Sequence, residues 1–153
     1  MVIEMRMKLT KTQKVILYLI KKLGKLVEGR KKLMKLMFLV EYYDPELGKL
    51  KREPLLGNEF IIYHYGVFSF DVMDEYISLV SRKIISEYPM KITQSIDLED
   101  LEEDVKLKVD RIISLFGNKY ASDLEEETLK MLGLSKEMKV KFFGMNVNEI
   151  IRE

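Results

Sequence analysis

Cysteine is absent from this sequence, so neither a disulfide nor a thiolate metal centre is available to it; a reducing compartment is compatible with that absence. Tryptophan is absent too, and His64 is the sole histidine, which leaves a metal of the zinc type short of its usual nitrogen and sulfur ligands. The glycines do not assemble a phosphate loop: Gly24 and Gly29 flank a turn, but no Gly-Lys-Ser/Thr element follows a strand. Long apolar runs are missing as well. Residues 15–20 and 36–40 form the longest of them, far short of the roughly 20 residues that a membrane-spanning helix needs. The opening Met1-Val2-Ile3-Glu4-Met5-Arg6-Met7-Lys8 alternates apolar and charged residues, unlike a secretory signal. These absences predict a cytoplasmic protein with no membrane segment, no cofactor and no bound metal.

Charge is what the sequence has in quantity. Charged residues make up 33% of its 153 residues and apolar ones 47%, the profile of a single globular domain with a dense ionic surface. The net charge of +1 hides a polarity: residues 1–52 hold 14 basic and 5 acidic side chains (+9), residues 53–153 hold 12 and 20 (−8). Such a chain either offers a basic face to an acidic partner or folds so that its halves, or two subunits, neutralise each other. Abundant Lys, Glu and Ile also fit a thermophile.

The pattern predicts a mainly α protein with a small β component. Thr10-Lys11-Thr12-Gln13 reads as a capping box, followed by Ile16, Leu19, Ile20 and Leu23 at helical spacing and Gly24 as the stop. A second helix begins at Gly29-Arg30 and runs to about Tyr43, where Asp44-Pro45 ends it. Residues 44–57, with Pro45, Gly48, Pro54 and Gly57, read as a loop, and β-branched and aromatic residues over 58–65 as a strand turned at Gly66. Ser69 caps a third helix with Asp71, Asp74 and Glu75 in its first turns and Val72, Tyr76, Leu79 and Val80 inward. Residues 83–93 read as a β-hairpin, the wing. The order helix, helix, strand, helix, hairpin predicts a winged-helix-like core over residues 10–94. A helical extension, 95–153, would pack on it: a long helix capped by Asp97 with Leu98, Leu101, Val105, Val109, Ile112 and Phe116 inward, one opened by Ser122 and ending at Gly133, one opened by Ser135, and a frayed last one at Asn146 or Asn148.

No catalytic constellation emerges. His64 with Ser69 and Asp71 lacks an oxyanion hole, and the reading preferred is a ring packed at the strand end, donating to the backbone. The run Asp97, Glu99, Asp100, Glu102, Glu103, Asp104 has neither the glycine nor the ligand spacing of a calcium loop and fits a helix N-terminus instead. On the second helix, Leu33, Leu36, Met37 and Val40 share the core side, while Lys31, Lys35, Phe38 and Tyr42 lie opposite. That second face is either a partner-binding surface or is covered by the C-terminal helices with the lysine stems reaching outward.

Two segments carry a resemblance. Gly29-Arg30-Lys31-Lys32-Leu33-Met34-Lys35-Leu36-Met37-Phe38-Leu39 resembles the "GR-x-KL-x-KL-x-(Y/F)-L" helix of the Panacea (SocA-like) antitoxin family and of related YwgA-like prokaryotic proteins, and His64-Tyr65-Gly66-Val67-Phe68-Ser69 resembles their "YGP-x-S" turn, with Val67 in place of proline. The hairpin ending Lys91-Ile92-Thr93 resembles their terminal strand, and the likeness covers residues 12–94. It implies an α-rich, winged-helix-like fold and, for the Panacea branch, an antitoxin or adaptor that acts by direct contact with a partner protein, such as a toxin encoded nearby, with no catalytic residue to carry over.

Two functions therefore stand as expectations. The first is a non-enzymatic, protein-binding regulator, compatible with a homodimer. The second is a nucleic-acid-binding regulator in which Lys14, Lys21, Lys22, Lys25, Arg30, Lys31, Lys32 and Lys35 contact phosphates. Against the second, Asp71, Asp74 and Glu75 would occupy the part of the third helix that enters a major groove.

Overall fold

A computed structural model describes residues 8–153; the alternating segment 1–7, with the expectation attached to it, lies outside the described residues. Thr10 opens helix α1 (Lys11–Leu23) by the predicted device: its hydroxyl accepts from the Gln13 N–H at 3.1 Å, and the Gln13 side chain accepts from the Thr10 N–H at 3.0 Å. Gly24, at a φ of 55°, ends the helix and a 3-10 turn (Gly24–Val27) leads on. Residues 15–20 are buried on every side, because α1 is flanked by α3 (Phe70–Ser81), α4 (Glu103–Phe116) and α2 (Arg30–Tyr42). A helix enclosed in this way needs apolar residues all round.

Helix α2 is just as central, yet it carries charge. From Lys32 to Tyr42 every residue is buried. Burying a charge is unfavourable unless a partner answers it, and each charge here has one. Lys32 donates to the Gly117 carbonyl at 2.7 Å, with Glu28 at 3.3 Å. Lys35 donates to the Val67 carbonyl at 2.8 Å. The Glu41 carboxylate accepts the Leu56 N–H and, at 2.8 Å, the Asn58 N–H. Thus α2 is pinned to the end of α4, to a hairpin strand and to the loop before that hairpin.

Three two-stranded antiparallel sheets punctuate the helices: β1–β2 (Tyr43–Asp44 with Lys49–Leu50), β3–β4 (Ile61–Tyr63 with Gly66–Phe68) and β5–β6 (Ile85–Ser86 with Lys91–Ile92). The chain is mainly helical with small antiparallel sheets. Two details differ from the expected strand and loop. Asp44-Pro45 does stop α2, but the following residues form the β1–β2 hairpin, Asp44 accepting the Glu46 and Leu47 N–H groups. The strand expected over 58–65 is instead one arm of β3–β4, turned at His64-Tyr65, with Gly66 at a φ of 92° pairing with Tyr63.

Ser69 caps α3 by accepting the Val72 N–H at 3.2 Å. Helix α4 starts at Glu103 and not at Asp97, because Asp97 accepts the Glu99 N–H at 2.9 Å and so closes a local turn in place of a helix. Helix α5 (Ala121–Met131) ends before Gly133. The helix expected from Ser135 is a 3-10 segment (Met138–Phe142), and Asn146 caps a short final turn (Val147–Glu149). Helix α4 lies on α1 and α2, and α5 on α2 and β4, so one apolar core runs from Val15 to Ile151. The two charge halves meet in pairs: Lys11–Glu102 at 2.8 Å, Lys14–Asp100 at 2.6 Å, Arg30–Glu87 at 2.6 Å and Lys31–Glu125 at 2.8 Å. Among the described residues no helix is long and apolar enough to cross a membrane.

Candidate functional site

Residues 29–39 and 64–69, the two segments singled out in the sequence, come together. The first half of α2 holds the tip of β3–β4 through the Lys35–Val67 bond, and α5 meets the tip from the other side. Gly66 makes this contact feasible. A Cβ there would come within 3.3 Å of the Glu125 side chain, and its positive φ favours glycine in any case. Glu125 is buried and receives Lys31 at 2.8 Å and Lys139 at 3.7 Å. Burial works to raise its carboxyl, but the Lys31 bond and the charges of Lys31, Lys139 and Lys35 outweigh that and hold it below the usual range. Lys139 also donates to the His64 carbonyl at 2.6 Å, and the Lys31 ammonium lies 4.9 Å from the Tyr65 ring centroid. Burial pushes the Lys35 amine down to about 7, opposed by Glu125 and reinforced by Lys31 and Lys139.

Outward from this clamp lies an aromatic face. In the antiparallel register Ile61 pairs with Phe68 and Tyr63 with Gly66, so Tyr63 and Phe68 project to one side of the hairpin while the fully buried Ile62 and Val67 project to the other. Phe70, from the start of α3, sits with its centroid 5.2 Å from Tyr63 and 5.0 Å from Phe68. Phe143 stacks on Tyr63 at 5.2 Å and lies 5.0 Å from His64. It is held there by residues 144–147, which run beside β3: Gly144 N–H bonds the Ile62 carbonyl at 2.7 Å and Ile62 N–H the Met145 carbonyl at 3.0 Å. The face is open to water at Phe70, 53% exposed, and Phe143, 48%, and Tyr65 stands exposed at the hairpin tip beside it. Contiguous exposed apolar surface, rich in Tyr and Phe, is the composition of a protein contact and an unfavourable one for an uncovered surface.

The partner-binding surface expected on α2 is corrected by this arrangement. Lys31 reaches the surface, but Lys35, Phe38 and Tyr42 are inside. Phe38 packs edge-on to Phe60 at 5.6 Å and beside Tyr42 at 5.4 Å, and the Tyr42 hydroxyl donates to the Asn58 carbonyl at 3.1 Å. The C-terminal helices and the hairpin cover that side, but only Lys31 reaches outward as the alternative reading expected; Lys35 ends inside on the Val67 carbonyl.

The phosphate-contact set is depleted in the same way. Lys32 and Lys35 are buried, Lys14 and Lys31 are paired, and Arg30 grips Glu87 with two bonds of 2.6 and 2.7 Å while lying 5.5 Å from the Tyr76 centroid. Lys21, Lys22 and Lys25 stay exposed near the end of α1 without an acidic partner among the described residues, Lys22 over the Tyr18 ring at 5.4 Å.

Of the remaining motif positions, Gly29 precedes α2, Leu33 and Leu36 are core, Ser69 is spent on its cap, and His64 and Tyr65 stand at the exposed hairpin tip. The His64 ring packs at the strand end, 4.5 Å from Tyr63, but the expected side-chain bond to the backbone is not among the described contacts. Residues that sequence reasoning passed over are Tyr63, Phe68, Phe70, Phe143, Glu125 and Lys139. The alternation of Tyr63, Phe68 and Phe70 about a turn carries a local signal; Phe143 and Lys139 arrive from a distant segment and carry none.

Comparison with protein-family models, with curated proteins and with solved structures returned no match.

Proposed function

We propose that this chain is a non-enzymatic regulatory module that acts by direct contact with a partner protein, antitoxin- or adaptor-like in the manner of the Panacea family it resembles, on a winged-helix-like core. The observation that carries the reading is the aromatic cluster in which half-buried Tyr63 and Phe68 hold the exposed Phe70 and Phe143. Half-exposed rings held in fixed positions by a hairpin, a helix start and a strap are rigid anchors that lose little conformational entropy on binding. The clamp of Lys31, Lys139 and Glu125 beneath them keeps that geometry fixed.

A photo-crosslinking residue at position 143, with position 21 as the control, tests this in cells of the native host. The reading expects a discrete protein adduct at 143, with the product of a neighbouring gene the first candidate. Reconstitution with the purified partner should then show Phe70→Ala and Phe143→Ala each weakening binding by about tenfold or more. Equal adducts at both positions, or affinity indifferent to both variants, would refute it.

Exposed Lys21, Lys22 and Lys25 at the end of α1 favour the nucleic-acid reading as a second one. It requires that a labelled duplex of about 30 base pairs bind at roughly 50 mM salt and weaken at least about tenfold by 200 mM. Three cations in one cluster contribute far less than the eight that the sequence offers.

A further inference from the structure

The C-terminal end of α2, the β1–β2 hairpin and one side of α4 enclose an open groove of about 700 Å3. It shares no lining residue with the aromatic face. Its apolar surface comes from Tyr43, Leu55 and Leu107, of which Leu107 is 63% exposed although it stands in mid-helix. Around that surface stand Glu46, Glu53, Asp104 and Asp110, all exposed and none of them in an ion pair among the described residues.

The cations that line the groove are largely answered from within. Lys51 pairs with Asp44 at 3.2 Å, while Arg111, exposed and 3.4 Å from the neutral Pro45 carbonyl, keeps its charge as a single guanidinium against the four exposed carboxylates. Lys108 is mostly buried beside Glu41 and Asp44, and burial lowers its amine while those two carboxylates oppose the shift. The charge left facing the groove is therefore negative, over a floor of leucine and tyrosine.

We propose that this groove is a second docking site, and that its occupant is a basic amphipathic helix of a partner protein. Leucine-sized side chains at i, i+3 or i+4, and i+7 would enter between Leu55 and Leu107, and Lys or Arg on the flanks would meet Glu46, Glu53, Asp104 and Asp110. Complementary charge fixes both the partner class and the orientation, since an acidic helix meets four carboxylates. This inference stands apart from the aromatic face, and either surface can fail alone.

The probe is a labelled model helix of about 18 residues, with leucines at that spacing and lysines elsewhere, beside a twin in which every lysine is glutamate. Fluorescence anisotropy at roughly 50 and 200 mM salt reads the affinity. The basic helix is expected to bind with a micromolar Kd and its acidic twin not at all. Leu107→Glu, and Glu46→Lys with Glu53→Lys, are each expected to weaken binding about tenfold or more, while Tyr88→Ala, on the distant β5–β6 turn, leaves it unchanged. Circular dichroism confirms that these surface variants fold. No binding of the basic helix, or binding indifferent to Leu107→Glu, overturns the proposal. So does a dimer in sedimentation equilibrium that Leu107→Glu dissolves, which assigns the groove to a second copy of this chain.

Discussion

Helix α2 and the outer face of the β3–β4 hairpin reverse the ordinary placement rule in opposite senses. Charges belong outside and large aromatics inside, yet α2 buries Lys32, Lys35 and Glu41 while the hairpin face leaves Tyr65, Phe70 and Phe143 in water. The difference lies in what answers each exception. Every buried charge of α2 ends on a backbone group of another segment, at Gly117, Val67, Leu56 or Asn58. Those charges set the register of the fold. Phe70 and Phe143 meet the half-buried Tyr63 and Phe68 and then solvent, while Tyr65 lies against the Lys31 ammonium. Departures from binary patterning are expected at functional or strained sites, and the comparison separates the two kinds: an exception closed by an internal partner is architecture, and one left open is a candidate contact.

The comparison breaks most readily at Glu41. Glu41→Ala orphans the Leu56 and Asn58 N–H groups and is expected to lower stability by about 2–4 kcal/mol, read as a shift of the urea midpoint. Glu41→Gln, which keeps one acceptor oxygen, should lose roughly half as much. A loss from Glu41→Ala as small as that of a surface change would mean that the buried carboxylate does not position the loop.

How much of this was legible depends on the range of the interaction. The caps at Thr10 and Ser69, the stops at Gly24 and Asp44-Pro45, and the span of α2 are local, and the sequence states them. The fate of the α2 lysines is not local: Lys32 meets a carbonyl 85 residues on, and a Lys-Leu-Met-Lys pattern reads equally well as a solvated face. The β3–β4 turn lacks the Asn-Gly or Asp-Gly signal of a tight hairpin, so its two arms read as one strand and a turn. The aromatic face was half visible in Tyr63, Phe68 and Phe70. Its strap, with Phe143, was invisible because the helix expected from Ser135 relaxes into a 3-10 segment. The charge polarity was visible throughout; four ion pairs join the two halves, and Lys21, Lys22 and Lys25 stand outside them.

A middle-sized effect is expected at Gly66, where the fold and the face meet. Gly66→Ala forces a Cβ to 3.3 Å from Glu125 at a φ of 92°, and such strain costs about 1–2 kcal/mol. Because the tip would have to lift off α5, the variant should also weaken partner binding, a coupled loss that a purely internal defect such as Glu41→Gln does not share.

Lys35 sharpens the comparison through pH. Its folded amine loses the proton near 7, while the unfolded amine keeps it up to about its ordinary 10.5. Between those values the unfolded state binds more protons, so stability rises with pH across that window, and below it the full cost of the buried charge remains. Lys35→Met removes the charge and leaves the Val67 carbonyl without its donor, two opposed effects that nearly cancel, within about 1 kcal/mol at neutral pH. The informative readout is the slope. Thermal unfolding at pH 6 and pH 9 should show a rise for the parent chain that the variant lacks, and equal rises in both would mean that the amine is not desolvated.

The smallest effect on stability belongs to the exposed rings, and there the comparison carries most. Phe38, enclosed by Tyr42 and Phe60, should cost about 3–5 kcal/mol when cut to alanine. Phe143 is 48% exposed, so the same truncation gives up about half the burial, leaves no enclosed cavity, and is expected to cost about 1 kcal/mol. If stability alone governed the choice of residue, a polar side chain at 143 would serve as well and would spare the surface its apolar patch. A Phe143→Ser variant that unfolds at nearly the parent temperature but binds the purified partner about tenfold or more weakly would show that the ring is kept for contact. One that loses several kcal/mol would place Phe143 with Phe38, as core that happens to reach the surface, and would remove the aromatic face from consideration as a docking site.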